Sequence, residues 1–286
     1  MGKIKKILVA YDGSPSSENA YLQAIEMAKK EKNWIKVLAV APNYDGDLEL
    51  IGVSNIDELI SNQFTHDLLE RAKKLAAEHE VKVLTNMAQG EPFESIVDVA
   101  DDENCDVIIM GRKGKTKLER ELMGSVTKRV IGNTTKEVLV FPDSSKLGWG
   151  RILLCVDSSV YSESAFKYAL QLGKDYNSAL TIMSVVETND EFFANAPKAH
   201  EQIVLKTRDM LESYRNKAEA EGLTADTVLK EGIIYQEITQ YAEEVNADVI
   251  LMAPHSKKGI KKFLLGSVTE RVIGLSTQPV LVTHYG

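Results

Sequence analysis

The chain carries an internal duplication, and this feature restricts its fold more than any other. The segment 3–30, KIKKILVAYDGSPSSENAYLQAIEMAKK, matches 149–175, WGRILLCVDSSVYSESAFKYALQLGKD, and the segments 106–142 and 248–284 share GSVT-x-RVIG. The 286 residues correspond to about two domains of ordinary size, so the repeat predicts two copies of one domain. We place the first domain at 1–143, the second at 150–286 and a polar linker at 144–149.

Strands and helices alternate within each copy. Short apolar runs such as 7–10 predict strands that are buried on both faces, whereas 16–31 and 55–79 have helical spacing. This alternation predicts a doubly wound α/β fold, with a parallel sheet of five strands and helices on both faces. We expect the strands at 7–10, 37–41, 81–87, 106–110 and 137–141, and at 152–156, 180–185, 227–229, 248–252 and 279–283.

The composition of the chain restricts the kinds of molecule that it is expected to bind. The chain has 34 Lys and Arg against 42 Asp and Glu, a net charge of −8, and broad nucleic-acid binding requires rows of cations. No run approaches the roughly 20 apolar residues that span a bilayer. Cys105 and Cys155 lie in apolar runs and are expected as buried, reduced thiols. We therefore expect a soluble cytoplasmic protein with no nucleic-acid or membrane partner.

A glycine-containing loop follows the fourth strand, at the edge where open parallel sheets bind ligands. It has Gly111 and Gly114, then nine residues, then Gly124 and Ser125 at a predicted helix start. Glycines let backbone N–H groups approach an anion closely, and the start of a helix attracts phosphate. Ser125 and Thr127 add hydroxyl donors, so the pattern favours an anion site.

Local charge favours the same interpretation. Between residues 112 and 120 there are five cations and one acid, and the second copy has four lysines between 257 and 262. Charge runs are commonly solvated surface, and that alternative stays open. Two basic loops at the ligand edge of an acidic protein nevertheless favour an anion site.

Other chemistry is not indicated by the sequence. The five histidines lack metal-ligand spacing. Gly114-Lys115-Thr116 resembles the end of a P-loop, but Ile109 stands where that motif begins with glycine. The serines at 14, 16 and 17 lack a G-x-S-x-G context and are expected as turn and cap residues. We predict no catalytic residue and no metal ligand.

The spacing G-x2-G-x9-G-[ST], behind a first strand that ends in Asp12, resembles the nucleotide-binding pattern of the universal stress protein family. The similarity extends over nearly the whole chain, twice, and includes the closing strand VLVFP. It implies a tandem member of that family. It also implies an adenine nucleotide alpha hydrolase-like fold with strand order 3-2-1-4-5 in each domain.

The resemblance further implies a ligand, ATP with or without Mg²⁺, and a set of contacts. Asp12 would contact the nucleoside, and the backbone of Val40 would meet the adenine. The phosphate and ribose contacts would come from Gly111, Gly114, Gly124, Ser125 and Val126, with Thr127 as a further hydroxyl.

The second copy departs from the pattern after its fourth strand. Ala253-Pro254-His255-Ser256 stands where Gly111 to Gly114 stand in the first. Pro254 has no N–H to donate, and a left-handed Ser256 would cost roughly 1–2 kcal/mol. This predicts a second site that binds ATP weakly or not at all, formed by Asp157, Val185, Ala253, Ser256, Gly266, Ser267 and Val268.

Three functions stay open at this point. The first is an ATP-binding regulatory protein of the stress response, as the resemblance implies. The second is a slow ATPase or an autophosphorylating enzyme, although no general base lies near the phosphate loop in sequence. The third is a structural or ligand-binding module without nucleotide. The resemblance also implies dimers: we expect the copies to pair along their last strands, and two chains could associate further.

Overall fold

A computed structural model describes residues 4–41, 54–113, 123–188, 197–254 and 265–284, without the side chains of 54–61 and 197. The chain divides into two compact units, Ile4–Ser144 and Ser145–Gly286. Each unit is an alternating series of strands and helices, and each is described separately below.

The first unit contains a parallel sheet of five strands in the order β3-β2-β1-β4-β5. This order confirms the predicted 3-2-1-4-5 topology. The elements, in chain order, are β1 (Lys6–Ala10), α1 (Pro15–Glu31), β2 (Trp34–Ala41), α2 (Ser54–Glu78), β3 (Val83–Gln89), α3 (Pro92–Asp102), β4 (Val107–Gly111), α4 (Ser125–Asn133) and β5 (Glu137–Phe141).

The second unit repeats the topology, with strand order β8-β7-β6-β9-β10. The predicted doubly wound fold is therefore confirmed in both halves. Its elements are β6 (Arg151–Cys155), α5 (Val160–Tyr176), β7 (Ala179–Glu187), α6 (Pro197–Ala220), β8 (Ala225–Gly232), α7 (Ile234–Glu244), β9 (Val249–Met252), α8 (Ser267–Leu275) and β10 (Val280–Val282).

Burial follows the position of each strand in its sheet. Every residue of β4, in the middle of the first sheet, is buried, as expected of a strand covered by helices on both faces. By contrast, β3 lies at the edge, and none of its residues is fully buried. The continuous apolar runs of the sequence thus correspond to the central strands, whose carboxyl ends define the ligand edge.

The third strand begins two residues later than the sequence predicted, at Val83 instead of 81. The reason is the end of α2, where Glu80 adopts the left-handed region (φ 60°). The N–H of Val81 then donates to the carbonyl of Ala76 (2.9 Å), which is the Schellman arrangement. Val81 therefore completes the helix cap, and its apolar side chain is not a sign of strand.

The second unit closes α6 in the same way, because Gly222 has φ 80° and the N–H of Leu223 donates to the carbonyl of Ala218 (2.9 Å). Its third strand, β8, is longer than the predicted 227–229. The ends of β8 have polar residues, so the pattern of apolar residues predicted only its middle. Polar residues are tolerated there because β8 is an edge strand.

The last strands differ because of Pro254. In the first unit the N–H of Arg112 donates to the carbonyl of Phe141 (2.8 Å) and extends the pairing of β4 with β5. Pro254 occupies the equivalent position and has no N–H to donate. Accordingly, β10 ends at Val282 instead of the predicted 283. It also begins at Val280 instead of 279, where Pro279 likewise has no N–H to donate.

The two cysteines are not bonded to each other. Cys105 is buried, whereas Cys155 keeps partial exposure, which corrects the expectation of two fully buried thiols. Burial still raises the pKa of the Cys155 thiol to about 12. Among the described helices, none combines the length and the apolar character that crossing a bilayer requires.

Candidate functional site

A cavity of about 250 Å³ opens at the carboxyl ends of β1, β2 and β4 in the first unit. Its wall contains most of the residues that the sequence singled out, contributed by four separate segments of the chain. They are Asp12, Val40, Gly111, Gly124, Ser125, Val126 and Thr127. Gly114 lies outside the described residues.

The end of β1 orients a carboxylate toward this cavity. The N–H of Ser14 donates to Oδ1 of Asp12 (2.9 Å), which is an Asx turn. The hydroxyl of Ser14 then accepts from the N–H of Ser17 (3.3 Å) and caps α1. The Asp12 side chain is therefore held by the same turn that starts the next helix.

Gly111 ends β4 at a place where only a glycine fits. A Cβ added here would lie 2.5 Å from the hydroxyl of Ser16 and 2.5 Å from the backbone nitrogen of Ser17. The first turn of α1 thus packs directly on the backbone of β4. This close packing explains the glycine without reference to a ligand, in addition to any role toward phosphate.

Thr127 connects α4 to the same strand. Its buried hydroxyl donates to the carbonyl of Gly111 (3.0 Å). Because a hydroxyl has one hydrogen to donate, this side chain holds α4 in place and is not a phosphate donor in this geometry. The phosphate contact of the Thr127 hydroxyl stays a prediction, and it would require this hydrogen bond to break.

The start of α4 is electrostatically suited to an anion. Gly124 is the N-cap and has no side chain to bond the first-turn N–H groups, so these donors face outward. No acidic residue lies in the first turn, and Lys128 is part of it. The N–H of Gly124 donates to the carbonyl of Arg112 (2.9 Å), which brings the helix start next to the end of β4.

Two cations follow β4, and their side chains differ in environment. Lys113 is exposed and lines the cavity. Arg112 is half-buried, and burial lowers the pKa of its guanidinium while Asp143 partly offsets that effect. The other cations of the predicted basic loop, from Lys115 to Arg120, lie outside the described residues.

A related cavity of about 310 Å³ lies at the equivalent edge of the second unit. Its wall includes Asp157, Val185, Ala253, Ser267 and Val268. Gly266 is the N-cap of α8, and Ser256 lies outside the described residues. The nucleoside side of the predicted second site is thus brought together in the same way as in the first unit.

Charge distinguishes the two cavities. In the second unit Glu270 stands in the first turn of the helix, at the position of Lys128, and an acid there already compensates the helix dipole. Glu187 adds a second carboxylate to the wall beside Asp157. These negative charges oppose the binding of a phosphate chain.

The carboxylate of Asp157 also has a different partner. The hydroxyl of Ser162 donates to its Oδ1 (2.7 Å) and accepts from the Asp157 N–H (2.8 Å). In the first unit the equivalent Ser17 hydroxyl donates to the carbonyl of Ser14 (3.0 Å) instead. Ser162 therefore uses an acceptor position of the Asp157 carboxylate, whereas the equivalent serine of the first unit does not bond to Asp12.

One wall of the first cavity consists of residues that no sequence motif indicated. Pro92 and Ile96 of α3 line it together with Leu38 and Met110. Their apolar side chains are of the type that surrounds a flat aromatic ligand. The sequence of α3 gave no sign that part of this helix borders a cavity.

Comparison with known proteins gives a consistent result. The model of the universal stress protein family matches residues 3–142 and again 148–284. The universal stress protein MJ0531 of Methanocaldococcus jannaschii is 40% identical over 149 residues, which cover 50% of this chain and 84% of that protein. The universal stress protein Slr1230 of Synechocystis is 26% identical over 303 residues, covering 97% of this chain and 99% of that protein.

Among solved structures, a universal stress protein from Archaeoglobus fulgidus superimposes over both halves. The alignment covers 99% of this chain and 100% of that chain, with a TM-score of 0.74 and 23% identity. At this identity the similarity supports the tandem fold alone.

Proposed function

Since this chain belongs to the universal stress protein family in both of its halves, we propose that its first domain binds ATP and acts as a regulatory protein in the stress response. The observation that carries the proposal is the convergence of Asp12, Val40 and the glycine-led start of α4 on one cavity. These residues come from three segments that are distant in the chain, and their convergence is what a nucleotide site at the edge of a parallel sheet requires.

The chemistry of the wall suits each part of the nucleotide. Apolar side chains of Leu38, Ile96 and Met110 provide a surface for the base. Asp12 provides an acceptor for the nucleoside. The first N–H groups of α4 provide donors for the phosphates, and Lys113 on the cavity wall and Lys128 in the first turn of α4 provide positive charge.

The same wall favours binding over hydrolysis. Among the described residues that line the cavity, Asp12 is the sole carboxylate, whereas phosphoryl transfer relies on metal ligands and a group that orients the attacking water. A Mg²⁺ ion carried by ATP would find one acidic ligand here. We therefore propose that the protein acts through the difference between its ATP-bound and ATP-free forms. ATP hydrolysis is the alternative that the experiment below also tests.

Calorimetric titration of the intact chain with ATP tests the proposal. We expect a single ATP per chain, and we expect Asp12→Ala to weaken binding by about tenfold or more, as loss of a charged hydrogen bond does. Asp157→Ala is the matched control at the equivalent position, and it should leave the stoichiometry and the affinity unchanged.

Two other outcomes would support the alternative functions, a slow ATPase or a module without nucleotide. ATP turnover above background that Asp12→Ala abolishes would identify a slow ATPase. If ATP produced no heat, and if the supernatant of the denatured purified protein contained no adenine nucleotide, the chain would be a module without nucleotide.

A further inference from the structure

Two buried serines at the start of α1, its N-cap Ser14 and Ser16, contact the segment that follows β4. The hydroxyl of Ser16 donates to the carbonyl of Lys113 (2.6 Å) and accepts from the N–H of the same residue (3.3 Å). The hydroxyl of Ser14 donates to that carbonyl as well (3.0 Å). Both serines are 1% exposed. Ser16 thus holds both polar groups of one backbone residue, 97 positions away in the chain.

The held residue stands at the entrance of the proposed phosphate site. Lys113 lines the cavity, and its neighbour Arg112 accepts from the N–H of Gly124 at the start of α4 (2.9 Å). The hydrogen bonds from the two serines therefore fix the segment of Arg112 and Lys113, and the start of α4 is bonded to this segment. Phosphate binding by backbone donors depends on such alignment, because hydrogen bonds weaken steeply with angle.

Resting on the function proposed above, we propose that Ser16, assisted by Ser14, is a positioning residue that gives the first domain its affinity for the phosphate chain. The two serines do not touch the ligand in this scheme. They hold the backbone of Lys113, next to Arg112, so that the N–H groups at the start of α4 face the cavity. Their loss weakens recognition of the phosphates and leaves recognition of the nucleoside intact.

The second domain has different residues at these positions. Tyr161 stands at the position of Ser16, and a tyrosine hydroxyl lies too far from its own backbone to make the same short contact. Ala253 stands at the position of Gly111, where the first unit has no room for a Cβ. The side chain of Ser159, the equivalent of Ser14, makes no capping bond to α5. The first turn of α5 therefore meets its fourth strand differently, which agrees with a second site that has lost phosphate binding.

The test compares ATP with adenosine as probes on the intact chain. For Ser16→Ala we expect the Kd for ATP to rise about tenfold, the usual effect of losing one or two buried hydrogen bonds. The Kd for adenosine should change less than about twofold. The ratio of the two affinities is the readout, because a general loss of structure would weaken both probes.

Thr134→Ala is the matched control. Thr134 is also 1% exposed and its hydroxyl also accepts from a backbone N–H, that of Lys136 (3.0 Å), but it precedes β5 at the opposite edge of the sheet. We expect this variant to lose stability and to keep the ratio of the ATP and adenosine affinities. Hydrogen exchange without nucleotide should show faster exchange of the Lys113 and Gly124 amides in Ser16→Ala only.

The outcomes separate this inference from the proposed function. A wild-type chain that binds ATP, combined with an unchanged affinity ratio in Ser16→Ala, overturns the positioning role alone. Equal weakening of ATP and adenosine overturns it too, because the serine would then serve the fold in general. A wild-type chain that binds no ATP overturns the proposed function and this inference together.

Discussion

Gly111 lies where the first turn of α1 presses against the end of β4. At this point a side chain would overlap the backbone nitrogen of Ser17 and the carbonyl carbon of Ser16, at 2.5 and 2.6 Å. Backbone atoms in a helix start cannot move away as the end of a flexible side chain can. Packing therefore requires glycine here, in addition to any ligand. The sequence motif alone does not distinguish a glycine needed for packing from one needed for a ligand.

We expect Gly111→Ala to lower the free energy of unfolding by about 1–3 kcal/mol, the usual cost of forcing an extra group into a packed site. The reverse change at the equivalent position, Ala253→Gly, should cost about 1 kcal/mol or less, through backbone entropy. Urea unfolding of both variants measures the difference. Equal costs would show that α1 moves away from β4 easily.

Glu103 is held by two lysines at the opposite edge of the sheet. Lys36 donates to its Oε1 (2.5 Å) and Lys6 to its Oε2 (2.8 Å). The hydrogen bonds from Lys36 and Lys6, together with their positive charge, lower the pKa of this carboxyl from 4.5 to about 2. The ionised form is thus favoured by folding. Its contribution is complete above pH 4.5 and is lost as the pH falls toward 2.

Glu103→Gln should therefore reduce the free energy of unfolding at neutral pH. The deficit should shrink as the pH falls from about 4.5 toward 2, because the wild-type carboxyl becomes protonated in the same range. Urea unfolding at a series of pH values measures it. Glu219→Gln, at an exposed position of α6, provides the control. A deficit that stayed constant with pH would contradict the ionic origin of the effect.

At the scale of elements, the contact of α4 with β4 differs from that of α8 with β9. The Thr127 hydroxyl lies 3.0 Å from the Gly111 carbonyl, whereas the Thr269 hydroxyl lies 3.4 Å from the Ala253 carbonyl. Both threonines are buried. The longer distance accompanies the alanine that replaces Gly111, and the hydrogen bond weakens as it lengthens.

Thr127→Val should cost about 1–2 kcal/mol of unfolding free energy, because it leaves the buried carbonyl of Gly111 without this donor. Thr269→Val removes the weaker bond and should cost clearly less. Urea unfolding compares the two valine variants, which have the same shape and the same burial. If Thr269→Val proved the costlier change, the two distances would not reflect bond strength.

At the scale of the whole molecule, the duplication has produced two domains of one fold with unequal sites. The first has a glycine-ended β4 and a helix start without acid. The second has Pro254 after β9, Glu187 on the wall of its cavity and Glu270 in the first turn of α8. We therefore expect the second domain to bind phosphate less well than the first. Association of the chain into dimers stays a prediction.

Saturating ATP should therefore stabilise one domain selectively. At a free ATP concentration of about 100 times Kd, ligand binding adds about 2.7 kcal/mol to the stability of the form that binds. Hydrogen exchange through unfolding should slow about 100-fold in peptides from the first unit and stay unchanged in peptides from the second. Equal protection in both units would show that the second cavity holds ATP despite its acids.

Most of the fold could be predicted from the sequence because the patterns that indicate it are local or occur twice in the chain. Buried runs, helical spacing and the duplication predicted the alternating elements, and the family resemblance implied the strand order. The motif residues from Asp12 to Val126 belong to segments whose ends must meet at one sheet edge. Strand limits were less accurate, since Val81 completes a helix cap and Pro254 shortens β10.

Tertiary structure decided the contacts between distant segments. No local pattern relates Ser16 to Lys113, or assigns the hydroxyl of Thr127 to a carbonyl instead of a phosphate, because these partners meet only after the sheet has formed. The steric need for Gly111 arises from the same packing. A sequence determines which residues can form strands, helices and turns, whereas the direction of a hydroxyl depends on what the fold brings within 3 Å of it.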